Sequence, residues 1–269
     1  MRNFWKCLLY DINQGTRKQS RIYVIAVVMF FFLGMNVYSE LKFLSPEISM
    51  ADIAVKLFYG ADIFREGDLF QIPYYYMIIT AFVGMSIGNY VLTDYKEMGV
   101  VHIVKYQNKS VWWYGKCLWN IWHTILLFVS IFIGIMLFGC IIGILSWKVS
   151  PLIPESGGYF MVVKEDWKVF SYIFILGICT VIVLNQIQIV FQMMFDSITA
   201  YIVYLGNLVF SVLIYSKYLP GNNLMLCRTK IFQEEGIEFW HEIVYLFILW
   251  LISVLIGCYF VKKSDVLLI

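Results

Sequence analysis

The chain has 269 residues, of which 61% are hydrophobic, 19% aromatic and 14% charged. A soluble domain is nearer half apolar and a quarter charged, so this composition excludes a soluble enzyme and a disordered chain. The 20 basic and 18 acidic residues leave a net charge of +2, which is too small to attract nucleic acid to a basic surface. The remaining class is a polytopic membrane protein that contacts the lipid bilayer and binds no nucleic acid.

The first segment, residues 1–20, has the pattern of an amphipathic helix. Arg2, Lys6 and Asp11 lie away from an apolar face, and we expect that face to rest in the inner membrane interface. The residues of this face are Phe4, Trp5, Leu8, Leu9 and Ile12. We expect Gly15 and Thr16 to break the helix before the first span. The alternative is a short disordered basic tail.

Six long stretches without a charged residue follow along the chain. A helix of about 20 apolar residues crosses a bilayer core of about 30 Å. The sequence therefore predicts an all-α membrane protein with six transmembrane helices in one domain, residues 1–269. The predicted spans are 22–39, 70–93, 118–146, 169–191, 197–216 and 243–261. A tight turn at Asp196 is expected to separate the fourth span from the fifth.

The charges favour one orientation. With the N-terminus inside, the inner segments hold eleven Lys and Arg residues and the outer segments nine, while thirteen of the eighteen acidic residues lie outside. We therefore predict that both termini are cytoplasmic. Because residues 1–21 are charged and no Ala-x-Ala site follows the first apolar run, we expect the first helix to stay as an anchor.

Two predicted outer segments are too apolar for plain solvated loops. Residues 40–68 contain an apolar stretch from Ile53 to Phe58, which predicts a partly folded cap. Residues 217–242 begin at a Pro-Gly-Asn-Asn turn and continue with apolar side chains, which predicts a short re-entrant or surface-lying helix before the last span.

One serine has the spacing of a nucleophile. Gly84, Ser86 and Gly88 match G-x-S-x-G, and His123 in the next span could serve as a base in an intramembrane protease. The same glycines form G-x-x-x-G, which lets membrane helices approach closely, and we favour this packing role. We therefore predict no catalytic residue.

Metal and nucleotide motifs give no site on this chain. The three histidines lie in three different segments without a second ligand at helical spacing, so we predict no metal site. No G-x-x-x-x-G-K-[ST] phosphate loop is present, so ATP-driven work would need another polypeptide.

Neutral polar side chains mark a candidate substrate path. Asn185, Gln188 and Gln192 recur at i, i+3 and i+7, on one face of the fourth span, and Asn89 and Asn207 lie in two other spans. These residues either line a path for substrate or form hydrogen bonds between neighbouring helices, and the sequence leaves both interpretations open.

The segment after the second span carries a family pattern. Lys96-Glu97-Met98-Gly99 is followed by Lys109-Ser110-Val111-Trp112-Trp113-Tyr114-Gly115-Lys116, which opens the third span. An acidic residue and glycine before a short amphipathic helix, and then a basic and aromatic stretch, resemble the first cytoplasmic loop of ABC-2 type permeases. These are the membrane subunits of type V ABC exporters.

The resemblance implies a coupling helix between spans 2 and 3 that docks on a cytoplasmic ABC ATPase. Its implied coupling residues are Tyr95, Glu97, Met98, Gly99, Val101, His102, Lys105 and Lys109. ATP and Mg²⁺ would bind the ATPase, and a second permease copy or paralogue would pair with this chain in the plasma membrane of a bacterium. The expected cargo is amphipathic, such as an antimicrobial peptide, a bacteriocin or a drug. The competing functions are an intramembrane protease and a non-transport scaffold or sensor.

Overall fold

The computed structural model describes residues 2–43, 47–63, 72–99, 108–150 and 165–263. These ranges fold into helices, with one isolated bridge between Thr229 and Ile237. The helices are α1 (Arg2–Lys42), α2 (Met50–Phe58), α3 (Tyr74–Ile87), α4 (Tyr90–Asp94), α5 (Lys109–Ile142), α6 (Asp166–Phe170), α7 (Gly177–Met194), α8 (Ser197–Leu213) and α9 (Phe239–Lys263). A π-helical turn, Tyr95–Gly99, continues α4, and another, Ser171–Leu176, joins α6 to α7.

Among the described residues, five helical stretches are long and apolar enough to cross a membrane. They are Leu8–Lys42, Tyr74–Glu97, Lys109–Ile142, Asp166–Met194 and Phe239–Lys263. Helix α8 is also apolar but has 17 residues, or about 26 Å of length. These lengths and compositions suggest a lipid bilayer as the environment of the chain, and the count of six spans stays a prediction.

Helix α1 corrects the first sequence prediction. It runs without interruption through Gly15 and Thr16, so the predicted break there is wrong. Gly15 instead faces Trp119 of α5, where an added Cβ would lie 2.1 Å from the indole nitrogen. The glycine is therefore needed for a close helix contact, and the turns before it pack against the bundle through Leu8 and Asp11.

The third predicted span also begins earlier than expected. Helix α5 starts at Lys109, where the side chain of Asn108 accepts a hydrogen bond from the Ser110 amide at 3.0 Å. Residues 109–117, which precede the predicted span 118–146, are thus part of a long helix. Its most extensive neighbour is α1, and an added Cβ on Gly134 would lie 2.5 Å from the carbonyl oxygen of Val27.

One end of the bundle collects the segments predicted to be cytoplasmic. Lys18 of α1 pairs with Glu97 at 3.6 Å, and Lys109 Nζ donates to the carbonyl of Lys262 at 3.2 Å. The start of α1, the two flanks of residues 100–107 and the end of α9 therefore meet at one end, which we call the loop end. Its location in the cytoplasm stays a prediction.

The opposite end carries a cap, defined here as α2 and residues 214–238. Ser49 and Asp52 form a capping box at the start of α2. The Asp52 carboxylate also accepts from the Ser150 amide at 2.8 Å, and the Cys227 amide donates to the carbonyl of Tyr59 at 3.0 Å. Residues 217–238 form two short 3₁₀ turns, Pro220–Leu224 and Leu226–Arg228, instead of the expected re-entrant or surface-lying helix.

Arg228 fastens this cap to α8. Its buried guanidinium donates to the carbonyls of Ser211 and Val212 in the last turn of α8, to Ala61, and to the Asn222 side chain. A cation at a helix C-terminus is stabilised by the helix dipole and satisfies carbonyls that have no partner within the helix. Burial lowers the pKa of the Arg228 guanidinium. Its carbonyl partners nonetheless hold the guanidinium in place.

Candidate functional site

Three charged side chains meet inside the bundle at the loop end. Lys116 Nζ of α5 lies 2.5 Å from Asp11 Oδ1 of α1 and 2.7 Å from Asp94 Oδ2 of α4. The exposed fraction of the three side chains is 0%, 1% and 2%. We call this group the charge cluster, and it joins the start of α1 to two helices about a hundred residues further along the chain.

Aromatic groups complete the surroundings of the charge cluster. Trp112 Nε1 donates to Asp94 Oδ2 at 3.1 Å, and the Lys116 ammonium lies 4.6 Å from the centre of the Tyr90 ring. Charges removed from water are tolerated only when they are paired and hydrogen-bonded. The cluster meets this condition with ion pairs, an indole donor and a cation–π contact.

The charge cluster holds both flanks of the predicted coupling segment. Asp94 immediately precedes the π turn Tyr95–Gly99, and Lys116 lies within the first turns of α5. The buried Tyr95 ring packs on Trp112 with their centroids 5.0 Å apart. Glu97 is exposed and pairs with Lys18.

The remaining predicted coupling residues are described only in part. Lys109 is the first residue of α5, and the backbone of Met98 and Gly99 belongs to the π turn. Val101, His102 and Lys105 lie outside the described residues. The predicted coupling helix between spans 2 and 3 therefore stays a prediction.

A second polar region surrounds a break in the predicted second span. Helix α3 ends at Ile87, and Gly88 takes a positive φ of 51°, which glycine adopts without a steric penalty. The Gly88 amide donates to Met85, so the carbonyl of Gly84 loses its usual helical partner. At membrane depth such a carbonyl needs another donor.

Glutamine side chains supply those donors. The side-chain amide of Gln188 donates to the Gly84 carbonyl at 3.1 Å, that of Gln192 to Gly88 at 2.7 Å, and that of Gln19 to Ile87 at 3.4 Å. Helices α1 and α7 therefore stabilise the broken end of α3. We call these glutamines, the carbonyls they bind, and Asn185 on the same face of α7 the polar seam.

His123 lies beside the polar seam and contacts the serine of the G-x-S-x-G pattern. Ser86 Oγ is 3.0 Å from His123 Nε2, and Tyr23 OH is 2.8 Å from His123 Nδ1. Ser86 Oγ also lies 2.6 Å from the Val83 carbonyl, which can only accept its hydrogen. The network therefore assigns the ring hydrogen to Nε2, which donates to Ser86, while Nδ1 accepts from Tyr23.

The candidate substrate-path residues separate into two groups. Asn185, Gln188 and Gln192 lie together on the buried face of α7, and each bonds a neighbouring helix through its amide nitrogen. Asn89 is exposed at the break after α3, and Asn207 is half-buried on α8. Interhelical hydrogen bonding is thus present at the α7 residues, and transport of substrate along them stays a prediction.

The charge cluster was missed by the sequence interpretation, which treated Asp11 as a surface charge and Lys116 as a boundary residue. The available signal was periodicity: Leu8, Asp11 and Gly15 lie on one face of α1, which overlaps the chosen apolar face at Leu8. The partner of Asp11 is 105 positions away, and no local pattern identifies it.

Comparison of the chain with known protein families, curated proteins and solved structures finds no match. No relative therefore assigns a role to either polar region.

We predict that Lys116→Met lowers the free energy of unfolding by about 3 to 5 kcal/mol, because two buried carboxylates lose their cation. The matched control is Lys168→Met, which removes an exposed lysine from its pair with Glu165 and should cost less than about 1 kcal/mol. The free energies of unfolding of both variants and the wild type, measured in the same detergent, give the two losses. Equal small losses would contradict the account of a desolvated cluster.

Proposed function

We propose that this chain is the membrane subunit of an ATP-driven exporter of the ABC-2 type, with six spans and both termini in the cytoplasm. The observation that carries the proposal is the charge cluster, which fixes both flanks of residues 95–108 to α1 and α5. A segment that receives force from a soluble ATPase needs rigid attachment to the helices it moves.

The proposed coupling begins at the exposed part of this segment. Glu97 is exposed beside Lys18, and Lys109 reaches the end of α9, so both can meet a cytoplasmic partner. ATP and Mg²⁺ would bind that partner. Closure of the ATPase subunits would push on the loop end, and the ion pairs would transmit this movement to α1, α4 and α5 together.

The break at Gly88 gives this movement a place to bend. Helix α4 moves with the charge cluster, whereas α3 is held by α8 through hydrogen bonds from Tyr201 and Tyr204 to the carbonyls of Ala81 and Thr80. A change of backbone angle at Gly88 lets the two parts move relative to each other, as hinge residues do. Two copies rocking in this way would open a path between them for an amphipathic cargo such as an antimicrobial peptide or a drug.

The deciding experiment is gentle solubilisation of the chain from its native membrane and identification of the proteins that copurify. We predict a stoichiometric soluble ATPase that is lost when residues 95–109 are replaced by a Gly/Ser linker. Glu97→Ala should weaken the association, because it removes an exposed carboxylate at the proposed contact.

The matched control is Glu235→Ala, which removes an exposed carboxylate from the cap at the opposite end and should leave the association unchanged. A chain that keeps its fold and carries no ATPase in any of several mild detergents would contradict the proposal. It would favour a scaffold or sensor.

The second candidate function is an intramembrane serine protease. The contact between Ser86 and His123 at 3.0 Å is the geometry which that function requires. The assigned hydrogen positions oppose it, because the ring nitrogen facing Ser86 carries a hydrogen and the serine hydroxyl is committed to Val83. Ser86 is also 1% exposed, which leaves a peptide carbonyl no approach.

We predict that Ser86→Ala keeps export activity and that a fluorophosphonate probe does not label the wild-type chain. The reason is that Ser86 accepts a hydrogen bond from His123 of α5 and donates to Val83 of its own helix, so it is not a nucleophile. Labelling of the wild type that disappears in Ser86→Ala would establish the protease instead.

A further inference from the structure

The polar seam has an excess of hydrogen-bond acceptors. Asn185 Oδ1, Gln188 Oε1 and Gln192 Oε1 are buried and have no hydrogen-bond partner among the residues that the structure describes. The exposed fractions of these side chains are 0%, 3% and 1%. A buried amide oxygen without a partner costs free energy, so a cluster of them points to a ligand that supplies positive charge or donors.

For Gln188 and Gln192, the neighbouring atoms decide which end of the side-chain amide is the oxygen. Gln188 and Gln192 face the carbonyl oxygens of Gly84 and Gly88, which only accept hydrogen bonds. Their amide nitrogens must therefore point at those carbonyls, and their oxygens must be the atoms without a partner. Rotating either amide by half a turn would place two oxygens against each other.

The end of α3 contributes its helix dipole at the same place, where the start of α4 at Tyr90 opposes it in part. Gln188 and Gln192 bind the last turn of α3 and the break that follows it. The C-terminal end of a helix carries partial negative charge, which favours a cation beside it. The hydrogen bonds of Asn185 lead through Thr124, Asn120 and Gln186 to the thiol of Cys117. His123, near the end of α3, has both ring nitrogens occupied by Ser86 and Tyr23.

We propose that the polar seam on α7, which contacts the end of α3 at Gln188 and Gln192 and α5 at Asn185, binds a compact monovalent cation through the oxygens of these three side chains. Neutral amide and carbonyl oxygens suit a hard cation, and the absence of a carboxylate among these three ligands favours one charge over two. The cation is either a sodium-sized ion or a primary ammonium group, since both offer the same charge to the same oxygens. The site does not depend on the proposed ATPase partner.

The experiment uses the full chain in lipid nanodiscs, first exchanged into N-methylglucamine buffer. Thermal unfolding is then followed with NaCl, KCl or methylammonium chloride at constant ionic strength. A saturating ligand should raise the midpoint by roughly 5 °C, because it binds the folded state alone. A midpoint raised by NaCl or KCl indicates an inorganic ion, and a midpoint raised by methylammonium chloride indicates an ammonium group. Either rise supports the site.

Two variants locate the effect. Gln192→Lys carries its own ammonium group into the seam and keeps a donor for Gly88, so its midpoint should lose most of the dependence on added cation. Gln186→Leu is the matched control: Gln186 is a buried glutamine on the same helix whose oxygen and nitrogen both have partners, Asn120 and Cys117. It should lower stability and keep the cation dependence.

Binding of radioactive ²²Na⁺ to the wild type gives a second readout that needs no variant. Retention that unlabelled Na⁺ or methylammonium displaces supports the site. The proposal is overturned if no ²²Na⁺ is retained and the unfolding midpoint is the same in all four salts, because water alone would then satisfy the amide oxygens. It is also overturned if Gln186→Leu removes the dependence while Gln192→Lys keeps it.

Discussion

A lysine ammonium group that has lost contact with solvent must be neutralised, and Lys116 is neutralised by Asp11 of α1 and Asp94 of α4. This requirement explains several features of the loop end. Helix α1 continues through Gly15 because its first turns carry Asp11 into the bundle. Helix α5 begins at Lys109, so Lys116 already lies within regular helix. The segment between Asp94 and Lys116 therefore starts and ends at the same cluster.

The charge cluster and the polar seam give the helices opposite mechanical properties. Ion pairs in a buried setting resist separation, so they hold α1, α4 and the start of α5 together. The seam is built from neutral hydrogen bonds around a glycine with positive φ, and such bonds contribute about 0.6 kcal/mol each between membrane helices. A rigid unit next to a weakly held break can change its angle without unfolding. The cap, fastened to α8 by Arg228, stays with the other side of that break.

Much of this architecture could be predicted from the sequence, because apolar run length sets helix length in lipid. The tight turn at Asp196 is confirmed: α7 ends at Met194, and the Asp196 side chain caps α8 by accepting from Ile198 and Thr199. The polar face of Asn185, Gln188 and Gln192 also followed from periodicity. The break at Gly88 did not, because a glycine inside an apolar run fits a helix contact as well as a break. The charge cluster depends on residues 105 positions apart, which periodicity within one helix cannot connect.

The central claim is that Asp11 and Lys116 act as a pair, and a double-mutant cycle tests it most directly. The free energies of unfolding of Asp11→Asn, Lys116→Met and the double variant would be measured against the wild type in one detergent. We predict that the double variant loses less free energy of unfolding than the two single variants lose together, by about 2 kcal/mol. Losses that add without coupling would show that the two groups do not interact, and α1 would then not be tied to the segment that follows Asp94.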